Sequence, residues 1–218
     1  YKLGSTNSTQ VNNAGFSGTR DNPAANAAEL LTHLRKSGAI KPENRSNGSS
    51  RFETSTGEIY LDSARTFMEI NTPRLQGICG LAGTSVNLPD FSIQKMSTDG
   101  NLAVVAIDGM KPLREAGRMV LVYATNVLNS GMEFTGPEMV TLINVGKVPA
   151  LLRRGAFTVT LKNRNASKLR LYPLDMSGRR LKEIAPDSVN GESVTFSADT
   201  GRDGAAIYFE IAEASSAK

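Results

Sequence analysis

The chain has 218 residues, 39% of them hydrophobic, enough for one large β domain or two small domains with a real core. Its formal net charge is only +4, from 25 basic and 21 acidic residues. The basic residues fall in short runs such as RKS, LLRR and GRR, not in the concentrated face that a nucleic-acid partner requires, so no nucleic acid is expected. No stretch approaches the roughly 18 apolar residues of a membrane span. No positively charged leader with an apolar core opens the sequence, so no signal peptide is read from it; a mature or trimmed secreted protein would look the same.

Residues 1–20 are rich in Ser, Thr, Asn and Gly and read as loop or extended chain. Residues 22–37 read as the one clear helix. Asn22 suits its cap and Pro23 its first position, Arg35 and Lys36 suit the last turn, and Gly38 suits its end. Ala27, Leu30, Leu31 and Leu34 recur at helical spacing and form an apolar stripe that needs a partner surface. Leu30, Leu31 and Leu34 are therefore the docking candidates. KPENRSNGSS, residues 41–50, reads as a polar linker. The expected division is a polar segment with a docking helix over 1–50, then a β domain over 51–218.

From Arg51 the hydrophobic period becomes two. In EIYLD, Ile59 and Leu61 face one way and Glu58, Tyr60 and Asp62 the other. FTVTL groups Phe157, Val159 and Leu161, KLRLY sets Leu169 and Leu171 against Lys168 and Arg170, and SVTFS turns Val194 and Phe196 inward. AAIYFEI turns Ile207, Phe209 and Ile211 inward, with Tyr208 and Glu210 outward. LAVVAID and MVLVYATNV are apolar on both faces and read as central strands. Turn signals such as STG, STDGN, NSG, DMSGRR and SVNGE separate the runs. About ten to twelve strands with one upstream helix point to an antiparallel β-sandwich, jelly-roll or immunoglobulin-like. SART then reads as a tight connection, and Thr72-Pro73 as a strand stop, because proline cannot donate to the ladder.

Few residues suggest chemistry. His33 is the only histidine and sits on the helix; Cys79 is the only cysteine and sits in apolar surroundings, so it reads as a buried, inert thiol. Neither a hydrolytic triad nor a metal site is indicated, and no phosphate-cradling glycine motif is present, so no cofactor is expected. Glu58, Asp62, Glu69, Asp108, Glu133 and Asp175 fall at strand ends or turns and read as solvated acids. Any two could form the carboxylate pair of a glycosidase, but the sequence selects none. There is no tryptophan to stack on a sugar; Tyr60 and Tyr208, on outward faces, are the candidates for a small platform.

Several segments together resemble the C-terminal β domains of bacterial multidomain glycoside hydrolases, which follow a catalytic (β/α) barrel. They are FETSTGEIYLDSARTFMEINTPRLQGICG, GRMVLVYATNVLNSGMEF, LINVGKVPALLRRGAFTVTL, KLRLYPLDMSGRRLKEI and GAAIYFEI. The resemblance covers roughly residues 20–211, and the helix corresponds to the segment joining barrel to sandwich. Two often-aromatic positions hold Leu61 and Val145 here, which puts a sugar contact at those positions in doubt.

The resemblance implies a secreted or extracytoplasmic, non-catalytic accessory domain. Such a domain packs on a catalytic domain or neighbouring subunit and has no catalytic residue of its own. Around the TPR turn, Glu58 and Arg74 are candidates to hydrogen-bond sugar hydroxyls, beside Tyr60 and Tyr208. A free-standing polysaccharide-binding module stays open as the alternative, as do a small glycosidase and a surface assembly protein. An exposed apolar patch of several hundred square ångströms would mark the docking reading.

Overall fold

The computed structural model describes residues 23–214; the expected cap Asn22 and the polar stretch 1–20 lie outside them. The chain divides into two compact units, Tyr1–Glu69 and Ile70–Lys218.

In the first unit, helix α1 spans Pro23–Lys36 and carries His33, Arg35 and Lys36 in its last turn. Gly38, at φ +74°, ends it: the amides of Ala39 and Ile40 turn back to the Leu34 carbonyl. Leu31 and Leu34 are half-buried, while Leu30 and His33 are exposed. Strands β1 (Arg51–Glu53), β2 (Ile59–Asp62) and β3 (Phe67–Asn71) follow, with β1 and β2 antiparallel. SAR forms one 3-10 turn between β2 and β3, as the tight connection requires.

Two expectations fail in this unit. Residues 41–50 are not a loose linker, because Asn44 and Ser46 are buried and bonded. The Arg35 guanidinium donates to both their carbonyls, at 2.8 and 2.6 Å, and Ser46 Oγ accepts from the Glu53 amide at 2.8 Å. The β1–β2 hairpin is also inverted. Tyr60 and Asp62 are buried, whereas Phe52, Ile59 and Leu61 are exposed. Alternation supplies two faces, and partners decide which turns inward. Here Arg45 lies over the Tyr60 ring at 3.8 Å, donates to Glu53 Oε1 at 2.6 Å and to Glu69 Oε1 at 2.9 Å, and so covers that face. Tyr60 in turn rests against Phe67, ring centroids 6.3 Å apart. Asp62 and Glu69 are thus buried acids and not solvated ones.

The second unit is an antiparallel β-sandwich. One sheet contains β4 (Leu75–Gly80), β7 (Gly100–Ala106), β8 (Arg118–Ala124), β17 (Tyr208–Glu213) and β14 (Leu169–Pro173), adjacent in that order. The other runs β15 (Ser188–Asn190), β16 (Ser193–Asp199), β13 (Ala156–Lys162), β6 (Phe91–Met96), β5 (Val86–Asn87). Both of the runs read as central are flanked by strands on either side.

The core lies between the sheets. Leu102, Val104, Leu121, Phe209 and Ile211 come from the first, and Phe91, Ile93, Phe157, Val159, Leu161 and Phe196 from the second; all are at most 1% exposed. Phe157 meets Tyr123 and Phe209 edge-on, at centroid distances of 5.6 and 5.2 Å, and so ties one sheet to the other. Asn163, fully buried, donates to the Leu113 and Ala116 carbonyls at 2.7 and 2.8 Å and pins the loop that follows β7. β3 ends at Asn71, and Thr72 Oγ1 then accepts from the Leu75 amide at 2.9 Å, so NTPR is a turn.

Among the described residues the strands number seventeen because several are only two or three residues long, too short for a periodic signal. MVLVYATNV is also not one strand: β8 stops at Ala124 and β9 (Val127–Ser130) starts a separate ribbon. Cys79 is half-buried on β4 and free.

A bare apolar arm as the candidate functional site

Between β8 and β13 the chain leaves the sandwich sheets and folds back on itself. β9 pairs with β12 (Lys147–Leu152), and beyond them β10 (Glu133–Phe134) pairs with β11 (Leu142–Asn144), both antiparallel. The result is a long two-stranded arm over residues 127–152. The β9–β12 register shifts between Lys147 and Ala150, around the cis Val148–Pro149 bond. The arm narrows at Gly146, where a Cβ would stand 2.6 Å from the Ser130 carbonyl oxygen. Its φ of +72° independently calls for glycine. Side chains lace the ribbon: Asn129 Nδ2 donates to the Val145 carbonyl at 3.1 Å and Ser130 Oγ to that of Pro149 at 2.7 Å.

The arm's surface is unusually apolar. Val127, Met139, Val140, Leu142, Ile143, Val145, Val148 and Leu151 are all exposed, from 42% at Met139 to 86% at Val140. Scattered surface aliphatics are ordinary, but a contiguous set marks a contact surface. A two-stranded ribbon without a covered face is at best marginally stable in water. At the arm's foot lies a cleft of about 490 Å³, lined by Leu128, Met132, Met139 and Leu152 with Asn126 and Arg153. Methionines suit such a seat because their unbranched side chains adapt to an incoming apolar group.

The sugar-reading candidates do not converge. Glu58 is exposed and accepts from Thr56 Oγ1 at 3.1 Å. Tyr60 is not an outward platform; it is buried beneath Arg45, and burial, helped by Asp62, raises its phenol pKa. Arg74 is spent on structure. Its guanidinium donates to the Gly109 carbonyl and, at 3.4 Å, to that of Ala106, while its Nε is buried without a partner. Only Tyr208 has its ring exposed on an outward sheet face, as expected. Two residues along the same outward face, Glu210 is buried beneath Arg118 and Arg180, to which it is bonded.

No family model matches this chain, and neither a curated protein nor a solved structure matches it. Among the described residues no group of three or more His, Cys, Asp or Glu is placed to hold a metal ion, and no helix is long and apolar enough to cross a membrane. Sequence periodicity had no means of finding the arm, because LINVGKVPALL carries the same aliphatic content as a buried strand. The closely spaced glycines and prolines in and around it, Gly131, Gly136, Pro137, Gly146 and Pro149, were the available signal.

Proposed function

We propose that this chain is a non-catalytic β-sandwich accessory domain of a carbohydrate-degrading enzyme, and that the 127–152 arm packs on the catalytic domain. The observation that carries this reading is the arm's row of exposed aliphatic side chains, which is what a docking strand displays when its partner is absent. The sequence resemblance supplies the kind of partner. The helix stripe adds less than expected, since only Leu30 of its three leucines is exposed. The chemistry of the described residues agrees with an accessory role. Nearly every buried carboxylate is tied to an arginine: Glu53 and Glu69 to Arg45, Asp62 to Arg51, Glu210 to Arg118 and Arg180. Carboxylates already committed to arginines are poorly placed to act as a general acid.

The test is to express the complete reading frame and compare its amide hydrogen exchange with that of this chain alone. The expected outcome is a catalytic barrel in the same frame, with amides of 139–152 protected in the full protein and fast-exchanging in the isolated chain. A frame with no catalytic domain, or identical exchange in both, overturns the reading.

A further inference from the structure

The outer face of β14–β17–β8 carries an arrangement that the docking reading leaves unused. Glu210 lies in the middle of β17, opposite Tyr172 on one side and Val120 on the other. Its side chain is 5% exposed and is shared by two arginines: Arg118 Nε donates to Oε1, and Arg180 Nε donates to Oε2 at 2.6 Å. The Arg180 hydrogen bond, followed by that of Arg118, holds the Glu210 carboxyl below the usual carboxylate range, so the trio carries a net charge of +1.

Each guanidinium is bound by its Nε alone. Among the described residues the Nη groups of Arg118 and Arg180 have no hydrogen-bond partner. Arg118 is 62% exposed and Arg180 35%, and Arg180 is also held from behind by the Tyr172 ring, 4.5 Å from its centroid. Tyr172 is fixed through Oη, which donates to Glu183 at 2.9 Å, while Glu183 is balanced by Arg170. Two donor forks are thus held in place by one buried carboxylate, and their ordering cost is met on folding, before any ligand arrives.

Tyr208 decides the kind of ligand. It lies on the same strand and face as Glu210, two residues away, and is 42% exposed. Two residues along a strand are about 7 Å, and Arg118, opposite Ala212, lies about 13 Å along from Tyr208. A ligand that uses both the ring and the forks must be extended and must present an apolar ring face beside an anionic group.

We infer that the Arg118–Glu210–Arg180 trio and Tyr208 form a binding site for an acidic polysaccharide, the forks taking a carboxylate or sulfate substituent and Tyr208 stacking on a neighbouring sugar ring. A nucleic acid would also offer rings and anions. It would need several phosphate contacts in a row, however, and this face offers two forks. The inference takes from the proposed function only the carbohydrate context; the site is on the sandwich and does not involve the arm.

The experiment is calorimetric titration of the chain at low ionic strength. The probes are oligogalacturonate, a sulfated galactan oligosaccharide, a neutral cello-oligosaccharide of equal length, inorganic sulfate and a single-stranded oligonucleotide. Binding of either acidic oligosaccharide is expected, weakening as salt is raised, with their ratio naming the substituent. The neutral sugar should not bind, and Arg118→Gln should lower affinity about tenfold or more. Tyr208→Ala should weaken the acidic sugar without changing thermal stability, since the ring is exposed. Equal binding of the neutral sugar, of inorganic sulfate or of the oligonucleotide overturns the inference, as does no binding at all or an unaffected Arg118→Gln protein that remains folded. Because the chain is used alone, failure here leaves the docking reading standing, and failure of docking leaves this one.

Discussion

β12 and β13 are separated by only three residues, yet their side chains meet opposite fates. In β13 every second residue, Phe157, Val159 and Leu161, is sealed between two sheets. In β12, KVPALL, five of six residues are exposed, including Val148 at 84%. Both are apolar and both are extended. The difference is that β13 pairs on each side, with β16 and β6, whereas β12 pairs only with β9 and has no second sheet against either face. Apolar content states that a surface is to be covered; it does not state whether the cover belongs to the same domain.

The sharpest way to break that contrast is to shorten one side chain in each region. Phe157→Ala removes the ring that joins Tyr123 to Phe209 and should cost about 3–5 kcal/mol in urea denaturation of the isolated chain. Ile143→Ser on the arm should change the same measurement by less than about 0.5 kcal/mol. In the product of the complete reading frame, if the arm docks on a further domain, the arm variant should become the costlier by about 1–3 kcal/mol through lost domain coupling. An arm variant as destabilising as the core variant in the isolated chain would mean that the arm is already packed.

A smaller effect sharpens the view of the core. Tyr123 Oη accepts from the Thr98 amide at 3.1 Å and donates to the Thr98 carbonyl at 2.7 Å, all in buried surroundings, and burial raises the phenol pKa. Tyr123→Phe keeps the ring contact and orphans both backbone groups. A loss of about 1–3 kcal/mol is expected on the same denaturation curve. A neutral result would mean that water reaches Thr98.

Much of the fold was legible because the second unit obeys period two. Phe157, Val159, Leu161, Val194, Phe196, Phe209 and Ile211 all face inward as the alternation predicts, and Thr72-Pro73 ends its strand. Where the reading failed, a long-range polar partner had overridden the pattern. Tyr60 turned inward because Arg45, fifteen residues earlier, covers it, and Glu210 stays on the outer face but is buried there because two arginines from distant parts of the chain meet over it. Periodicity is a local quantity, and such partners are set by topology. The candidate site was less legible still. Of the four sugar-contact candidates, only Tyr208 kept an exposed ring on an outward face, and Arg118 and Arg180 carried no local mark that distinguished them from other surface arginines.

The smallest expected effect concerns a turn that sequence and structure describe alike. In DMSGR the chain reverses with Gly178 at φ +82°, and the Asp175 carboxylate accepts from Ser177 Oγ at 2.6 Å and from the amides of Ser177 and Arg179 at 2.9 Å each. The Ser177 hydroxyl, then the Arg179 amide, hold the Asp175 pKa at about 2. A depressed folded pKa makes the turn's contribution fully present above the ordinary aspartate range, and it is lost as pH falls from about 4 toward 2. Titration of the Asp175 side-chain carbon by NMR should give a midpoint near 2, and Ser177→Ala should raise it. Because the group faces solvent, that variant should barely move the denaturation midpoint at pH 7, in contrast with Phe157→Ala. A normal midpoint in the parent protein would mean that the turn bonds are not held in solution. The turn would then be held by its backbone reversal at Gly178 and not by the Asp175 carboxylate.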